Sequence, residues 1–90
     1  MGKYQRRKGK RNEWLLRKIL KEYGIEVENA SLEGYDVRVC GIWKGEVKSG
    51  KQVPKWLYDK LGENEFLFCK RDRREWLVVM PLEFFLEKFT

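Results

Sequence analysis

The chain has 90 residues, of which 42% are hydrophobic and 38% charged, and its formal net charge is +6. This length allows one domain with a small core, and the apolar content excludes a wholly disordered chain. Histidine is absent, which excludes catalysis by a histidine acid or base and nearly all zinc sites.

Export and membrane insertion are not expected. No apolar run approaches the roughly 20 residues that cross a bilayer, and no apolar segment follows the basic N-terminus as in a signal peptide. The chain has two cysteines, Cys40 and Cys69. We therefore expect reduced thiols and a cytoplasmic location, at the nucleoid or in an infected host cell.

Residues 1–11 are predicted to form a flexible basic arm. They hold six of the 20 Lys and Arg residues, which leaves 14 basic residues against 14 acidic ones in the rest of the chain. The six cations are Lys3, Arg6, Arg7, Lys8, Lys10 and Arg11. Because the arm has no periodic apolar residue, we expect it to be flexible and to bind a polyanion. The alternative is a solubilising terminus without a specific partner.

An amphipathic helix is predicted next, over residues 12–23. Asn12 suits its N-cap and Gly24 its C-terminal stop. Its apolar face follows the i, i+3, i+4, i+7 spacing, through Leu16, Ile19, Leu20 and Tyr23.

Three strands are predicted to follow the helix, over 25–28, over 35–40 and, after a turn at Gly41, through about Ser49. Alternation in the second strand places Asp36 and Arg38 on the face opposite Val37. In the third strand, Glu46 and Lys48 share one face. Arg38 could contact a phosphate or pair with a carboxylate.

The remaining elements are marked by proline, glycine and apolar runs. Pro54 suits the start of a helix that ends at Leu61 before Gly62, and Pro81 starts a last helix. Two apolar strands, 66–69 and 76–80, lie between them. The predicted order is α-β-β-β-α-β-β-α, an α/β (α+β) domain over 12–90 with one mixed central sheet flanked by helices.

Asp36, Glu46 and Lys48 are the candidate catalytic residues. A hairpin would place the strand of Asp36 beside that of Glu46 and Lys48, and two neighbouring carboxylates repel unless a cation lies between them. Carboxylate oxygens suit Mg²⁺, with Mn²⁺ as a possible substitute. A nearby lysine can position an attacking water and offset phosphate charge. The combination is typical of phosphodiester hydrolysis.

These residues resemble the PD-(D/E)XK nuclease signature, with Asp36 followed by Glu46-Val47-Lys48, although Tyr35 stands where the family usually has proline. The resemblance implies a restriction-endonuclease-like fold. It also implies that Asp36, Glu46 and the Val47 carbonyl hold the metal, while Lys48 orients the water.

The element order further resembles archaeal and viral Holliday-junction resolvases, in which a basic arm precedes a helix whose early glutamate joins the metal site. Glu13 occupies that position and shares the helix face of Leu16 and Leu20. Ser31 matches a serine in the loop before the aspartate. The residues expected to contact DNA are Arg6, Arg7, Lys8, Lys10, Arg11, Ser31, Lys51, Gln52, Arg71, Arg73 and Arg74.

Each of these residues also has a structural interpretation. Glu46 and Lys48 could form a solvent-facing pair worth a few tenths of a kcal/mol. Glu13 could simply favour the positive end of the helix dipole. Ser31 could be an ordinary loop residue, and Gln52 could cap the following helix.

A homodimer is expected because large apolar side chains lie off the predicted core faces. These are Trp14, Trp43 and Phe84. The resemblance implies the same, since junction resolvases are two-fold dimers that nick opposed strands symmetrically.

The sequence therefore predicts a Mg²⁺-dependent endonuclease that resolves four-way DNA junctions. Two alternatives stay open: another nuclease of the same superfamily that acts on flaps, single strands or nicked duplex, and a non-catalytic nucleic-acid-binding module.

Overall fold

The computed structural model describes the backbone from residue 3 onward and the side chains from residue 10 onward. By its internal contacts the chain divides into two compact units, Met1–Gln52 and Val53–Thr90. The first holds α1, β1, β2 and β3, at Lys3–Glu22, Val27–Asn29, Val37–Val39 and Trp43–Gly45. The second holds α2, β4, β5 and α3, at Lys55–Leu61, Leu67–Cys69, Leu77–Val79 and Leu82–Phe89. Two 3-10 turns, Ser31–Glu33 and Gly50–Gln52, were not predicted.

Helix α1 begins at Lys3, so the predicted start at Asn12 was wrong. Residues 3–11 have helical backbone where an irregular one was expected. Lysine, arginine and glutamine are good helix formers and need no apolar periodicity, and Gly9 costs the helix only about 1 kcal/mol relative to alanine. No helix in the described part of the chain is long and apolar enough to cross a membrane.

The strands form two antiparallel sheets, which corrects the prediction of one mixed central sheet. One sheet has the order β1-β2-β3 and the other pairs β4 with β5. Each pairing is antiparallel, with Val27 opposite Val39, Val37 opposite Gly45 and Leu67 opposite Val79. Strands of three residues joined by short connections form hairpins, because a parallel pair needs a crossover of a dozen or more residues. The fold is thus a small α+β arrangement.

The core of the first unit is small, as the length predicts. Its buried apolar side chains are Leu20, Val27, Ala30 and Val37. Leu20 comes from the predicted apolar face of α1, and α1 contacts β1. Ile19 and Tyr23, from the same predicted face, are exposed. The face that packs is therefore narrower than the periodicity indicated.

Gly45 lies on β3 directly opposite Val37 of β2. An alanine Cβ at Gly45 would lie 2.7 Å from Cγ2 of Val37, and Val37 is buried and rotationally restricted as a β-branched residue. We expect Gly45→Ala to lower the free energy of unfolding by about 1–3 kcal/mol through overpacking. Urea denaturation followed by circular dichroism measures the change.

The control for this prediction is the same glycine change in a Val37→Ala background. Because the added methyl group then meets a shorter side chain, Gly45→Ala should lower the free energy of unfolding less in this background than in the wild type. Equal costs in both backgrounds would show that the Gly45–Val37 contact does not restrict the hairpin.

The second unit follows its sequence signals closely. Helix α2 begins directly after Pro54 and ends before Gly62, whose N–H donates to the Tyr58 carbonyl oxygen at 2.9 Å. Helix α3 begins after Pro81. Phe84, expected to lie off the core face, instead packs edge-on against Phe66 with ring centroids 5.4 Å apart. It therefore contributes to the aromatic packing of this unit.

Candidate metal and nucleic-acid site at the β2–β3 hairpin

The β2–β3 hairpin brings Asp36 beside the segment Glu46-Val47-Lys48. Asp36 directly precedes β2 and Glu46 directly follows β3, and the register pairs Val37 with Gly45. Continued by one residue, this register places Asp36 opposite Glu46. The strand pairing predicted from the sequence is thus present.

The prediction that Glu46, Val47 and Lys48 lie on a strand was wrong, because β3 ends at Gly45. The Val47 N–H donates to Oδ2 of Asp36 at 2.6 Å. A continuing strand would direct that N–H at a backbone carbonyl of its neighbour. The aspartate side chain takes the donor instead, as short polar side chains do when they compete with regular pairing.

Asp36 is held firmly by its surroundings. Its own N–H donates to the Gly45 carbonyl oxygen at 3.2 Å, and its carbonyl oxygen accepts the Ala30 N–H at 3.1 Å. The residue is half-buried. Within residues 10–90, Oδ1 of Asp36 has no hydrogen-bond partner, so one carboxylate oxygen is fixed and the other can accept a ligand.

Glu46 and Lys48 form a loose pair at the surface. The Lys48 Nζ lies 3.7 Å from Oε1 of Glu46, and the two side chains are 54% and 65% exposed, respectively. An exposed pair of this kind stabilises a fold by less than about 1 kcal/mol. Both groups can therefore turn toward a ligand at little cost.

The donor set fits a hard, partly hydrated cation. Asp36 and Glu46 would supply carboxylate oxygens to such an ion, and Val47 would supply a carbonyl oxygen. Mg²⁺ keeps several waters and needs only one or two protein carboxylates. Within the described residues, no group of three or more His, Cys, Asp or Glu side chains could hold a metal. Two carboxylates are what the hairpin offers.

Glu13 does not lie at the start of its helix as predicted. Helix α1 begins at Lys3, so Glu13 lies in the third turn, beyond the reach of the dipole at the first turn. It is half-buried, and it has no hydrogen bond or ion pair with residues 10–90. Helix α1 contacts β1, and β2 lies between β1 and β3. No described hydrogen bond or ion pair joins Glu13 to the hairpin site.

The other candidate residues of the first unit lie in exposed positions. The Ser31 hydroxyl and N–H each donate to Oδ1 of Asn29 at 2.8 Å, so Ser31 closes the turn after β1. Lys51 and Gln52 lie exposed in the second 3-10 turn. Gln52 does not cap α2, whose N-cap is Pro54 with no side-chain hydrogen bond.

The remaining predicted DNA contacts fall into two groups. Lys10 and Arg11 are exposed on α1, whereas the side chains of Arg6, Arg7 and Lys8 lie outside the described residues. The second group is exposed at the tip of the β4–β5 hairpin and comprises Arg71, Arg73 and Arg74. There the Arg74 N–H donates to the Arg71 carbonyl oxygen at 3.1 Å, which closes the turn.

An ionic network on the first sheet was not predicted as such. Nε of Arg38 donates to Glu28 at 2.9 Å and Nη1 donates to Glu33 at 2.7 Å. The Tyr35 hydroxyl donates to Glu33 at 2.6 Å. The sequence feature that could have indicated this network is the opposite charge of Glu28 and Arg38, which face each other in the β1–β2 pairing. Arg38 thus pairs with carboxylates.

This network predicts an acid dependence of stability. The pKa of Glu33 lies below its usual value of 4.5, because the Tyr35 hydroxyl donates to it and Arg38 pairs with it. A carboxyl with a lowered folded pKa stabilises the fold above its unfolded pKa, and the contribution is lost as pH falls through the folded value. We expect the urea midpoint to fall more steeply below pH 4.5 in the wild type than in Glu33→Gln.

The control variant is Tyr35→Phe, which removes the hydroxyl and keeps the ring. It should raise the pKa of Glu33, as measured by NMR titration of the carboxyl carbon. An unchanged pKa in this variant would show that the tyrosine hydroxyl does not stabilise the glutamate.

The hairpin therefore gathers Asp36, Glu46, Val47 and Lys48 within one short segment of the first unit. Glu13 has no described hydrogen bond or ion pair with this segment, and Ser31 bonds to Asn29. The arginine-rich tip belongs to the second unit. No protein-family model matches the chain, and no curated protein or solved structure matches it either.

Proposed function

We propose that this protein is a metal-dependent DNA endonuclease of the PD-(D/E)XK type, with four-way junctions as its preferred substrate. The observation that carries the proposal is the 2.6 Å hydrogen bond from the Val47 N–H to Asp36. That bond fixes a carboxylate beside the Glu46-Val47-Lys48 segment. The restriction-endonuclease-like fold is part of the same proposal.

Asp36, Glu46 and the Val47 carbonyl would hold Mg²⁺, or Mn²⁺ in its place. When bound, such an ion supplies positive charge to the phosphate and lowers the pKa of water. The Lys48 Nζ lies 3.7 Å from Oε1 of Glu46. The Lys48 ammonium group would hold the attacking water oxygen and offset charge on the phosphate. The water oxygen would bond to phosphorus and release its proton to solvent, while the bond from phosphorus to the leaving sugar oxygen breaks.

The distribution of cations supports a nucleic-acid substrate. Six Lys and Arg residues lie in residues 1–11 and four more in 70–74. Contacts from such segments go to phosphates and recognise backbone shape more than base sequence. A homodimer would place two sites on opposed strands of a junction and make paired nicks. A DNA substrate also implies a place at the nucleoid or in an infected host cell.

One observation favours a second candidate, a non-catalytic nucleic-acid-binding module. Glu46 and Lys48 already pair with each other at the surface, and Glu13 makes no described contact with them. In this case the cationic segments bind DNA and the hairpin residues are ordinary surface groups.

The experiment that separates the candidates is a cleavage assay with synthetic DNA. The substrates are a four-way junction, a linear duplex of the same sequence, a flap, a nicked duplex and a single strand, each with Mg²⁺, Mn²⁺ or EDTA. We expect paired, symmetric nicks in the junction that require the metal. Metal-dependent cleavage of another substrate would support the nuclease activity but contradict the preference for four-way junctions. Binding of every DNA without cleavage in either metal would establish the binding module.

A further inference from the structure

Helix α1 has a cationic face as well as the face that carries Leu20. At about 100° per residue, the cationic side chains and Trp14 fall within a sector of roughly 120°, on the side away from Leu16 and Leu20. We call this set the α1 cationic face, and it consists of Lys10, Arg11, Trp14, Arg17, Lys18 and Lys21. The hairpin site uses none of these residues.

A groove lies on this face of the helix. It has a volume of about 460 Å³ and is lined by Trp14, Arg17, Lys18, Lys21 and Glu22. Three of the lining side chains are cationic and one is anionic, so the groove attracts an anion. Trp14 is 53% exposed. Because the Trp14 side chain is so exposed and lies among charged groups, its ring is available for a nucleic-acid base to stack on.

Arg17 supplies an independent indication of a missing partner. Its Nη1 atom is buried without a hydrogen-bond partner in the described part of the chain. Leaving a buried charged donor unsatisfied is costly. Arg17 also lines the groove, and guanidinium groups bind phosphates with strong, charge-assisted hydrogen bonds.

The length of the face indicates a polymer more than a single small anion. Cations recur on successive turns from Lys10 to Lys21, over about 16 Å of helix axis. Several phosphates of one strand fit along that distance. Lys18 Nζ lies 5.5 Å from the Trp14 ring centroid, so the aromatic platform and the charges belong to one surface. Basic grooves with exposed aromatic rings are typical of sites for unpaired nucleotides.

We propose that the α1 cationic face binds an unpaired segment of a nucleic-acid strand, with phosphates on Arg17 and Lys21 and one base stacked on Trp14. The proposal adds a second surface to the hairpin site. It rests on the proposed function only for the identity of the polymer as DNA.

The test is the salt dependence of binding to a fluorescent single strand, measured by anisotropy in EDTA over a range of KCl concentrations. Loss of two phosphate contacts in Arg17→Gln/Lys21→Gln should reduce the slope of log K against log salt by about 1.4, at about 0.7 per contact. Affinity should fall about tenfold or more. Trp14→Leu should weaken binding by roughly 5- to 150-fold, the value of one stacked base.

The matched control is Lys60→Gln/Lys88→Gln, which removes the same charge from exposed lysines of the second unit. It should keep the wild-type slope, and circular dichroism confirms that the variants are folded. Equal slopes in the two double variants would overturn the inference. So would a result in which Arg17→Gln/Lys21→Gln loses affinity for anionic lipid vesicles but keeps its affinity for the single strand.

Because the binding assay contains EDTA, it does not depend on cleavage. A protein that cuts junctions but keeps its slope in Arg17→Gln/Lys21→Gln would disprove this inference and leave the proposed function standing. If the protein never cuts DNA but the salt dependence of binding is reduced in that variant, the proposed function is disproved and this inference stands.

Discussion

Cleavage of a four-way junction is expected to fall by about 100-fold or more when Lys48 is replaced by alanine. Under the proposed function, the Lys48 ammonium holds the attacking water and offsets phosphate charge. The side chain is 54% exposed and its one described ion pair is a loose contact with Glu46. Its removal should therefore leave stability nearly unchanged, so that the loss is one of chemistry. The measurement is the initial nicking rate in Mg²⁺.

Glu46→Gln is the companion variant, because it keeps the size of the side chain and removes its charge. We expect a similar loss of rate, with binding of the junction in Ca²⁺ or EDTA retained. Lys60→Ala is the matched control, since it removes an exposed lysine of the second unit. Wild-type cleavage by both hairpin variants would disprove the assignment of the site.

Two substitutions of Asp36 are expected to abolish activity alike but to differ in their effect on stability. Asp36→Ala removes the acceptor of the Val47 N–H, which now lies 2.6 Å from Oδ2. We expect this variant to lose about 1.5–3 kcal/mol of unfolding free energy, the value of a hydrogen bond to a charged group. Asp36→Asn keeps an acceptor oxygen there and should lose clearly less. Both variants should lose metal-dependent cleavage, because neither has the carboxylate.

Urea unfolding and junction cleavage, measured on both Asp36 variants, test this prediction. The expected pattern is one inactive variant near wild-type stability and one inactive variant of reduced stability. If Asp36→Asn cleaves at the wild-type rate, the residue has a structural role only. Equal stability of the alanine and asparagine variants would show that the hydrogen bond to Val47 contributes nothing.

Local signals in the sequence were enough for the elements of the second unit. Pro54 and Gly62 bound α2, and Pro81 precedes α3, because proline and glycine restrict the backbone whatever surrounds them. The start of α1 could not be predicted in this way. Asn12 is a good N-cap, but the preceding lysines and arginines are equally good helix formers, and the helix continues through them.

The arrangement of the sheets depended on information that periodicity does not contain. Alternation identifies strands, but it does not say which strands pair, and five strands were placed in one sheet where two sheets exist. Pairing through a short turn was predictable, so the contact of Asp36 with the segment after β3 followed from the sequence. The end of β3 at Gly45 was not predictable from the sequence, because it depends on the hydrogen bond that the Val47 N–H donates to the Asp36 side chain.

The bond between Val47 and Asp36 also bears on the order in which the molecule assembles. The two residues are 11 positions apart. Closing a loop of about ten residues takes on the order of 10–100 ns, and a hairpin forms in about 1–10 μs. The entropy lost on closing so short a loop is small. We therefore expect the proposed metal ligands to meet early in folding, since contacts between near neighbours in the chain form faster than distant ones.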